Sequence, residues 1–361
     1  MSYLKRIHRC CADLSLTREE LAYYARHLLL PSIGTRGQLK LKCARVLVVG
    51  AGGLGCPVLQ ALAGAGVGQL TIVDGDSVDI TNVSRQWLHT VADAGENKAT
   101  SAKATLHGLN PYIEIEAHAE MLNEENADQL IGAHDLVVDA TDDLEVRYLI
   151  DDACADLDIP WVHAALFRGR SQLTVLWSSC GARFRALYPE GSDAPSCAGA
   201  GMLGATASVV ANLQALEVIK LIVGSSRPKI GELVSMDASG VALQTFTMPG
   251  VHLPEPIAEN PVRECVFSVD ALRQARSIHE PLTLIDVRSA NQQGVAPLPK
   301  SVHCPAESVL EHGLPDGLSA GAKLILLCDE GLISGLMADA LRARGHANVY
   351  FLEGGLSALA K

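Results

Sequence analysis

Apolar residues follow two rhythms along this chain, and the alternation between them predicts its elements. Thr17-Arg18-Glu19-Glu20 has the form of a capping box. Leu21, Tyr24, Ala25 and Leu28 follow at helical spacing, so a helix is expected to about Leu30, stopping before Pro31. Residues 45–49 read as a strand, 54–65 as a helix and 70–73 as a second strand. Val46-Leu47-Val48-Val49 is apolar throughout, as expected of a parallel strand covered on both faces. A helix over 97–109 then ends at Asn110-Pro111, an alternating strand covers 113–117, and Asp135-Leu136-Val137-Val138-Asp139 is another buried strand. Strand-like runs at 160–166, 172–177, 231–236 and 241–247 surround one long apolar helix, 206–222.

Pro249, Pro254, Pro256 and Pro261 punctuate a polar, acidic stretch, and each removes a backbone donor, so 249–264 reads as a linker. Beyond it, strands at 282–287, 323–327 and 348–352 alternate with a helix at 334–344. The expectation is a first domain over 1–248 and a second over 265–361. The fold class is α/β: a Rossmann-like, doubly wound, mostly parallel sheet, then a smaller α/β domain.

Composition narrows the field. With 361 residues, 48% of them apolar, the chain can build more than one core. The net charge of -12 leaves no basic surface to release counterions from a nucleic acid, so the expected partners are small molecules and proteins. Val46 to Val73 carries no charge, but seven glycines and Pro57 break it, which fits a buried strand and helix better than a membrane span. The basic residues of Met1-Ser2-Tyr3-Leu4-Lys5-Arg6 lead into no apolar stretch, so no signal peptide is expected and the cytoplasm is the expected compartment. Ten cysteines then read as reduced thiols, with Cys43, Cys56 and Cys154 as small buried hydrophobes.

The candidate chemistry begins at Gly50-Ala51-Gly52-Gly53-Leu54-Gly55, a loop that turns a strand into a helix and aims backbone N–H groups at a helix N-terminus. Alone, such a loop serves equally as a tight packing turn or as the cradle of any nucleotide. An NAD enzyme would need the glycines and one acid, which Asp74 supplies. It would not need Arg85 or Lys98. Two cations, with Asp142 past the end of a buried strand and able to hold Mg²⁺, are the parts for stabilising charge on phosphates during attack on the α-phosphate of ATP.

Arg26-His27, the glycine loop, Asp74-Gly75-Asp76, Asn82-Val83-Ser84-Arg85-Gln86, Lys98 and Thr141-Asp142-Asp143 together resemble the MoeB/ThiF enzymes, prokaryotic relatives of ubiquitin-activating enzymes, over roughly residues 15–248. The resemblance implies an adenylyltransferase that activates the C-terminal Gly-Gly carboxylate of a small ubiquitin-fold sulfur carrier. It implies a nucleotide site built from Gly50, Gly52, Gly53, Gly55, Asp74, Asp76, the segment Thr81 to Gln86, Lys98, Asp142 and Asp143. Within it, Gly53 approaches the phosphates, Asp74 binds the ribose, Asn82, Arg85 and Lys98 contact the triphosphate, and Asp142 holds Mg²⁺. It also implies a homodimer in which Arg26 reaches the partner's site, although Tyr23-Tyr24 stands where the family has Arg-Tyr. Cys197, in a loop of small residues, matches the cysteine that bonds to the carrier during sulfur transfer; an inert loop thiol is the other reading. The four zinc ligands usual in the family are missing, with Arg183, Ala186, Val251 and Pro254 in their places, so no zinc is expected.

Asp286-Val287-Arg288, Cys328 with its loop to Ser334, and Glu353-Gly354-Gly355-Leu356 resemble a rhodanese domain over about 265–361. That implies a persulfide on Cys328, loaded from a persulfide or thiosulfate donor. Asp329, Glu330 and Ile333 depart from the family: the acids put negative charge beside the sulfur, and Ile333 replaces a frequent cation. An active sulfurtransferase and a docking module are both open. So is a non-catalytic scaffold for the whole chain.

Overall fold

The computed structural model describes residues 6–7, 10, 14–28, 30, 32–167, 170–190, 202–224, 226–237, 242–252, 265–278, 280–289, 301–306, 308–309, 313–315, 317–318, 322–343 and 345–359. The chain divides into two compact units, one of Met1–Ser15 with Leu39–Ile257 and one of Leu16–Gln38 with Ala258–Lys361. Residues 16–38, assigned to the first domain by the sequence pattern, therefore group with the second unit. Most of the expected linker lies outside the described residues.

The capping box forms: Thr17 accepts the Glu20 N–H and Glu20 accepts the Thr17 N–H. The single helix expected to Leu30 is, however, two short ones, α1 (Arg18–Tyr23) and α2 (Ala25–Leu28). Between them Tyr24 leaves helical geometry (ψ 10°), and its buried ring stacks on His27 with centroids 5.9 Å apart. A helix without a sequence forecast, α3 (Gly34–Cys43), follows.

The first unit is built on an eight-stranded sheet: β1 (Arg45–Val49), β2 (Gln69–Val73), β3 (Glu114–His118), β4 (Leu136–Asp139), β5 (Trp161–Phe167), β6 (Arg170–Leu176), β7 (Glu232–Asp237) and β8 (Ala242–Thr247). Its order is β3-β2-β1-β4-β5-β6-β7-β8. Strands from β3 through β5 pair in parallel, and β6, β7 and β8 extend the sheet in antiparallel fashion. Strand order reverses between β1, which continues to β2 on one side, and β4 on the other. A crevice opens at the carboxyl ends of the strands on either side of such a reversal.

Four helices carry the loops around that crevice. Gly50 leads from β1 into α4 (Gly55–Ala65), a helix almost wholly buried. α5 (Lys98–Leu109) is capped by Asn97, whose carbonyl oxygen accepts the Thr100 N–H at 3.1 Å, a cap worth about 1 kcal/mol. α6 (Ala127–Gly132) precedes β4, and α7 (Leu144–Asp156) follows it, capped by Asp143. The long helix α9 (Gly204–Val223), which follows the short α8 (Phe184–Leu187), is long and apolar enough to cross a membrane. Its Ala207, Val210, Ala211, Ala215, Val218 and Ile222 are instead buried at helical spacing in this unit.

The second unit holds a five-stranded parallel sheet of β9 (Val266–Phe267), β10 (Leu282–Asp286), β11 (Ser301–His303), β12 (Lys323–Leu327) and β13 (Val349–Leu352), in the order β11-β10-β12-β13-β9. Helices α10 (Val269–Ser277), α11 (Leu332–Ala343) and α12 (Gly355–Leu359) accompany the sheet. One apolar cluster contains Ile285, Val287, Leu326, Met337 and Leu341, together with Cys265, Cys304 and Cys328.

Candidate active site

Two glycines shape the loop after β1. Gly50 has φ 101°, and a Cβ there would sit 2.7 Å from the Ala140 carbonyl oxygen; a Cβ on Gly55 would lie 2.0 Å from the Gly50 oxygen. A side chain at either position would force the backbone apart. Between them the Ala51 residue is gripped at both ends. Its N–H donates to Asp74 Oδ2 at 2.7 Å, and its carbonyl accepts from His89 Nε2 at 3.0 Å. A carbonyl only accepts, so His89 donates from Nε2, and its Nδ1 lies 2.9 Å from Ser101 Oγ. Cys56 lies beneath the same carbonyl, and burial pushes its thiol up to about 12, which makes it inert.

Asp74 and Asp76 follow the carboxyl end of β2. The Asp76 N–H donates to Asp74 Oδ1 at 2.9 Å, and Asp76 Oδ2 accepts from Lys98 Nζ at 2.7 Å. Lys98 is 7% exposed, so its ammonium is held in a partly desolvated position at the start of α5. Asn97 fixes that start by donating to the Asp74 carbonyl (2.8 Å) and the Asp76 carbonyl (3.1 Å). Arg85 donates to Asn82 Oδ1 at 2.8 Å and to the Thr81 carbonyl at 3.1 Å. Gln86 is 4% exposed, and its buried Oε1 has no hydrogen-bond partner among the described residues. A buried, unpaired acceptor at the wall of a cleft costs about 1–3 kcal/mol unless a ligand or water satisfies it.

These groups converge on one cleft of about 400 Å³, lined by Gly50, Gly52, Gly53, Asp74, Asp76, Asn82, Arg85, Gln86, Lys98, Asp142 and Asp143. The volume lies within the roughly 300–1,000 Å³ of small-molecule sites. Its apolar wall includes Met121, Leu122, Val146 and Met202, none of them foreseen. Met121 and Leu122 follow the carboxyl end of β3, the edge where the general rule for such sheets puts ligands, so a signal for them existed.

The structure does not bring every expected residue there. Gly55 packs beneath the loop and Thr81 bonds Asp79 at 2.8 Å, while Val83 and Ser84 also stand outside the lining; the Ser84 carbonyl accepts from Trp87 Nε1 at 3.1 Å. Arg26 is exposed on α2, in the second unit, and is not among the lining residues. Cys197 lies outside the described residues.

Ion pairs and a backbone bond occupy the region of the absent zinc ligands. Arg183 donates to Asp151 and Asp152, each at 3.0 Å, and Arg185 bonds Asp152 at 2.7 and 3.0 Å while lying 4.6 Å over the Tyr148 ring. The hydrogen bond from Arg185 holds the Asp152 carboxyl below the usual range. The His252 N–H donates to the Cys180 carbonyl at 2.8 Å, tying the two segments together. Pro254 lies outside the described residues. Purified protein is expected to contain far less than one zinc per chain, and a strong chelator should leave its melting temperature unchanged. A stoichiometric zinc signal by elemental analysis would overturn this.

The second unit carries its own site. Cys328 ends β12 and is 3% exposed; the Ser334 N–H donates to its sulfur at 3.3 Å, with Ser334 Oγ also at 3.3 Å. The Leu356 N–H holds the Cys328 carbonyl at 2.9 Å, and a Cβ on Gly355 would meet that carbonyl at 2.3 Å. Arg288, 1% exposed, bonds Asp286 at 2.7 Å and Asp329 Oδ1 at 3.1 Å. Burial alone would raise the Asp286 carboxyl, but hydrogen bonds from Arg288 outweigh it and hold it low. This corrects the expectation for Asp329: its charge is paired with a buried guanidinium, and Glu330 is the exposed acid of the loop. Ile333, standing where the family often has a cation, is exposed.

A sequence model of the ThiF family matches residues 24–253, and one of the rhodanese-like domain matches residues 268–361. A probable adenylyltransferase/sulfurtransferase MoeZ of Mycobacterium tuberculosis is 36% identical over 376 residues, covering 96% of this chain and 94% of its own. Adenylyltransferase and sulfurtransferase MOCS3 of Aedes aegypti is 34% identical over 387 residues, covering 98% of this chain and 87% of its own. Among solved structures, MccB of E. coli superposes with a TM-score of 0.57 at 22% identity, covering 69% of this chain and 74% of that one. PaaA gives 0.57 at 22%, covering 64% and 75%. These two show a shared fold.

Proposed function

The chain belongs to the ThiF family and ends in a rhodanese-like domain, and on that premise we propose that it adenylates the C-terminal Gly-Gly carboxylate of a small ubiquitin-fold sulfur carrier and then converts it to a thiocarboxylate. One observation carries the adenylation reading: the glycine loop, Arg85, Lys98 and Asp142, drawn from four separate segments, line a single cleft at the reversal point of the sheet. A carboxylate oxygen of the carrier attacks the α-phosphorus of ATP, the bond to the β-phosphate oxygen breaks, and pyrophosphate leaves. Lys98 and Arg85 stabilise the charge that builds on the phosphates, while the N–H groups of the loop orient them. Gln86 Oε1 has its missing donor in a hydroxyl or amino group of the bound nucleotide.

The cleft also needs a metal to accept a triphosphate. Asp74, Asp76, Asp142 and Asp143 place four carboxylates against the two cations Arg85 and Lys98, so an unaccompanied polyanion is repelled. Among the described residues no cluster of three His, Cys, Asp or Glu side chains forms a ready-made metal site. That suits Mg²⁺, which is held by one or two carboxylates together with phosphate oxygens. Asp142 is the residue assigned to hold it, and when bound the ion neutralises charge on the departing pyrophosphate.

In the second step the terminal sulfur of a persulfide on Cys328 attacks the acyl carbon and AMP leaves; a second thiol, for which Cys197 is the candidate, then attacks the Cys328 sulfur of that acyl disulfide, freeing the thiocarboxylate and leaving a Cys197–Cys328 disulfide that an external thiol reduces. The persulfide comes from a protein persulfide or thiosulfate. Arg26, exposed on α2, serves the cleft of a second copy, which makes the working unit a homodimer, and the reduced thiols suit the cytoplasm. Pyrophosphate exchange into ATP tests the adenylation step: candidate carriers ending in Gly-Gly are expected to stimulate it, and carriers lacking the terminal glycine are not. Exchange with none of a broad carrier set would leave a non-catalytic scaffold as the better reading.

A further inference from the structure

Behind the cleft, where no nucleotide reaches, four polar side chains share the interior of the first unit: Asp139 and Gln214 are 0% exposed, His163 1% and Arg147 2%. Burying this much polarity is costly unless it is paired, and among the described residues every side-chain oxygen of this group except Gln214 Oε1 has a partner. Asp139, the last residue of β4, holds three donors. Its Oδ1 accepts the Thr141 N–H at 3.0 Å; its Oδ2 accepts Arg147 Nε at 3.1 Å and His163 Nδ1 at 2.7 Å. Arg147 also donates a second nitrogen to the Thr141 carbonyl at 2.6 Å. Gln214 Nε2, from α9, bonds the carbonyls of Asp139 (2.7 Å) and Val162 (2.8 Å), locking β4 to β5 at this level.

The network therefore grips Thr141 by its N–H and its carbonyl. The next residue is Asp142. On its far side, the Asp143 N–H donates to Thr141 Oγ1 at 3.1 Å, and Asp143 Oδ1 accepts the Glu145 N–H at 2.8 Å. Asp142 is thus the exposed tip of a turn whose flanks are tied to the core. His163 is the member that has no other polar duty. Its ring lies against Phe184 (5.1 Å between centroids) and Trp161 (5.9 Å), and among the described residues its one polar contact is to Asp139.

We infer that His163 is a positioning residue for Asp142, acting through Asp139 and Thr141. Two donors on Oδ2 leave Oδ1 facing the Thr141 N–H. With His163 gone, the carboxylate can turn toward Arg147, and the Thr141 peptide loses its anchor. This inference rests on the assignment of Asp142 to the adenylation cleft. Nothing in the sequence marks His163, since a histidine in an apolar strand reads as filler.

Full-length chain, a responsive carrier and pyrophosphate exchange provide the test. His163→Leu, which keeps volume and removes the donor, is expected to lower kcat by roughly 10–100-fold while KM for ATP changes by less than about threefold, and to raise the Mg²⁺ concentration needed for half-maximal rate. His163→Asn, whose amide nitrogen can stand where Nδ1 stands, should recover kcat to within about threefold. His163→Gln, equally polar but longer by one carbon, should not. If the leucine variant fails to fold, the asparagine and glutamine pair carries the comparison. A merely structural role would lower the melting temperature of all three variants while leaving kcat and the Mg²⁺ requirement alone. Equal kcat in the asparagine and glutamine variants would overturn the inference. Asp142→Asn separates the two levels: full exchange in that variant would sink the assignment of Asp142, whereas loss there beside unchanged His163 variants would sink the role of His163.

Discussion

Lys98→Ala is expected to cut carrier-dependent pyrophosphate exchange about a thousandfold, or ~4 kcal/mol of transition-state stabilisation, the upper end for removing one preorganised donor. The reason lies in where the ammonium sits. It is 7% exposed, on the first turn of α5, and its partner Asp76 is at the rim of the same cleft. Its cost in desolvation is borne in the resting protein, and charge building on the phosphates gives it a second partner at no further reorganisation. The fold does not need it. Asp76 keeps solvent access after the substitution, so no charge is left buried and the melting temperature should shift by no more than about 3 °C. Lys98→Arg tests geometry, because a planar guanidinium cannot take the place of a compact ammonium, and a loss of at least about tenfold is expected. Exchange in Lys98→Ala within threefold of the unaltered protein would remove Lys98 from the mechanism.

Cys328→Ala should abolish thiocarboxylate formation, by on the order of a thousandfold or more as for a lost covalent nucleophile, and leave pyrophosphate exchange within about twofold. Among the described residues, those lining the adenylation cleft all belong to the first unit, and Cys328 belongs to the second. Sulfur release from thiosulfate to cyanide, measured in both proteins, reads the persulfide step directly. Arg288 pairs the acid next to the sulfur and Ser334 directs its N–H at it, so the loop retains what a persulfide anion needs. Equal sulfur release by the two proteins would make the domain a docking module.

Much of this was legible in the sequence because the signals are local. Five or six adjacent residues suffice for a buried strand, a glycine turn or a capping box, and β1, α4, β2, α5 and β4 fall within a residue or two of their forecasts. Where a signal was disguised, the cause was burial of charge. α7 has no clean apolar stripe because Arg147 and Asp151 occupy its inward side. The helix expected to reach Leu30 failed at Tyr24, whose ring is buried and turned onto His27, a choice no spacing records.

By itself, the sequence determined the α/β class, the strands and turns of the first unit, the family resemblance, and the charged residues with which a phosphate site is furnished. Only the tertiary structure decided which of them meet: that Thr81, Val83 and Ser84 stand outside the cleft, that Met121 and Met202 wall it, and that Gln86 is buried with an acceptor to spare. It also decided that Asp329 shares with Asp286 an arginine 41 positions away and that His163 steadies Asp139 from the neighbouring strand. Local backbone preferences act over a few residues and leave their mark in adjacent letters. Pairings across tens of residues arise from strand register and the exclusion of water, and those exist only once the sheet has formed.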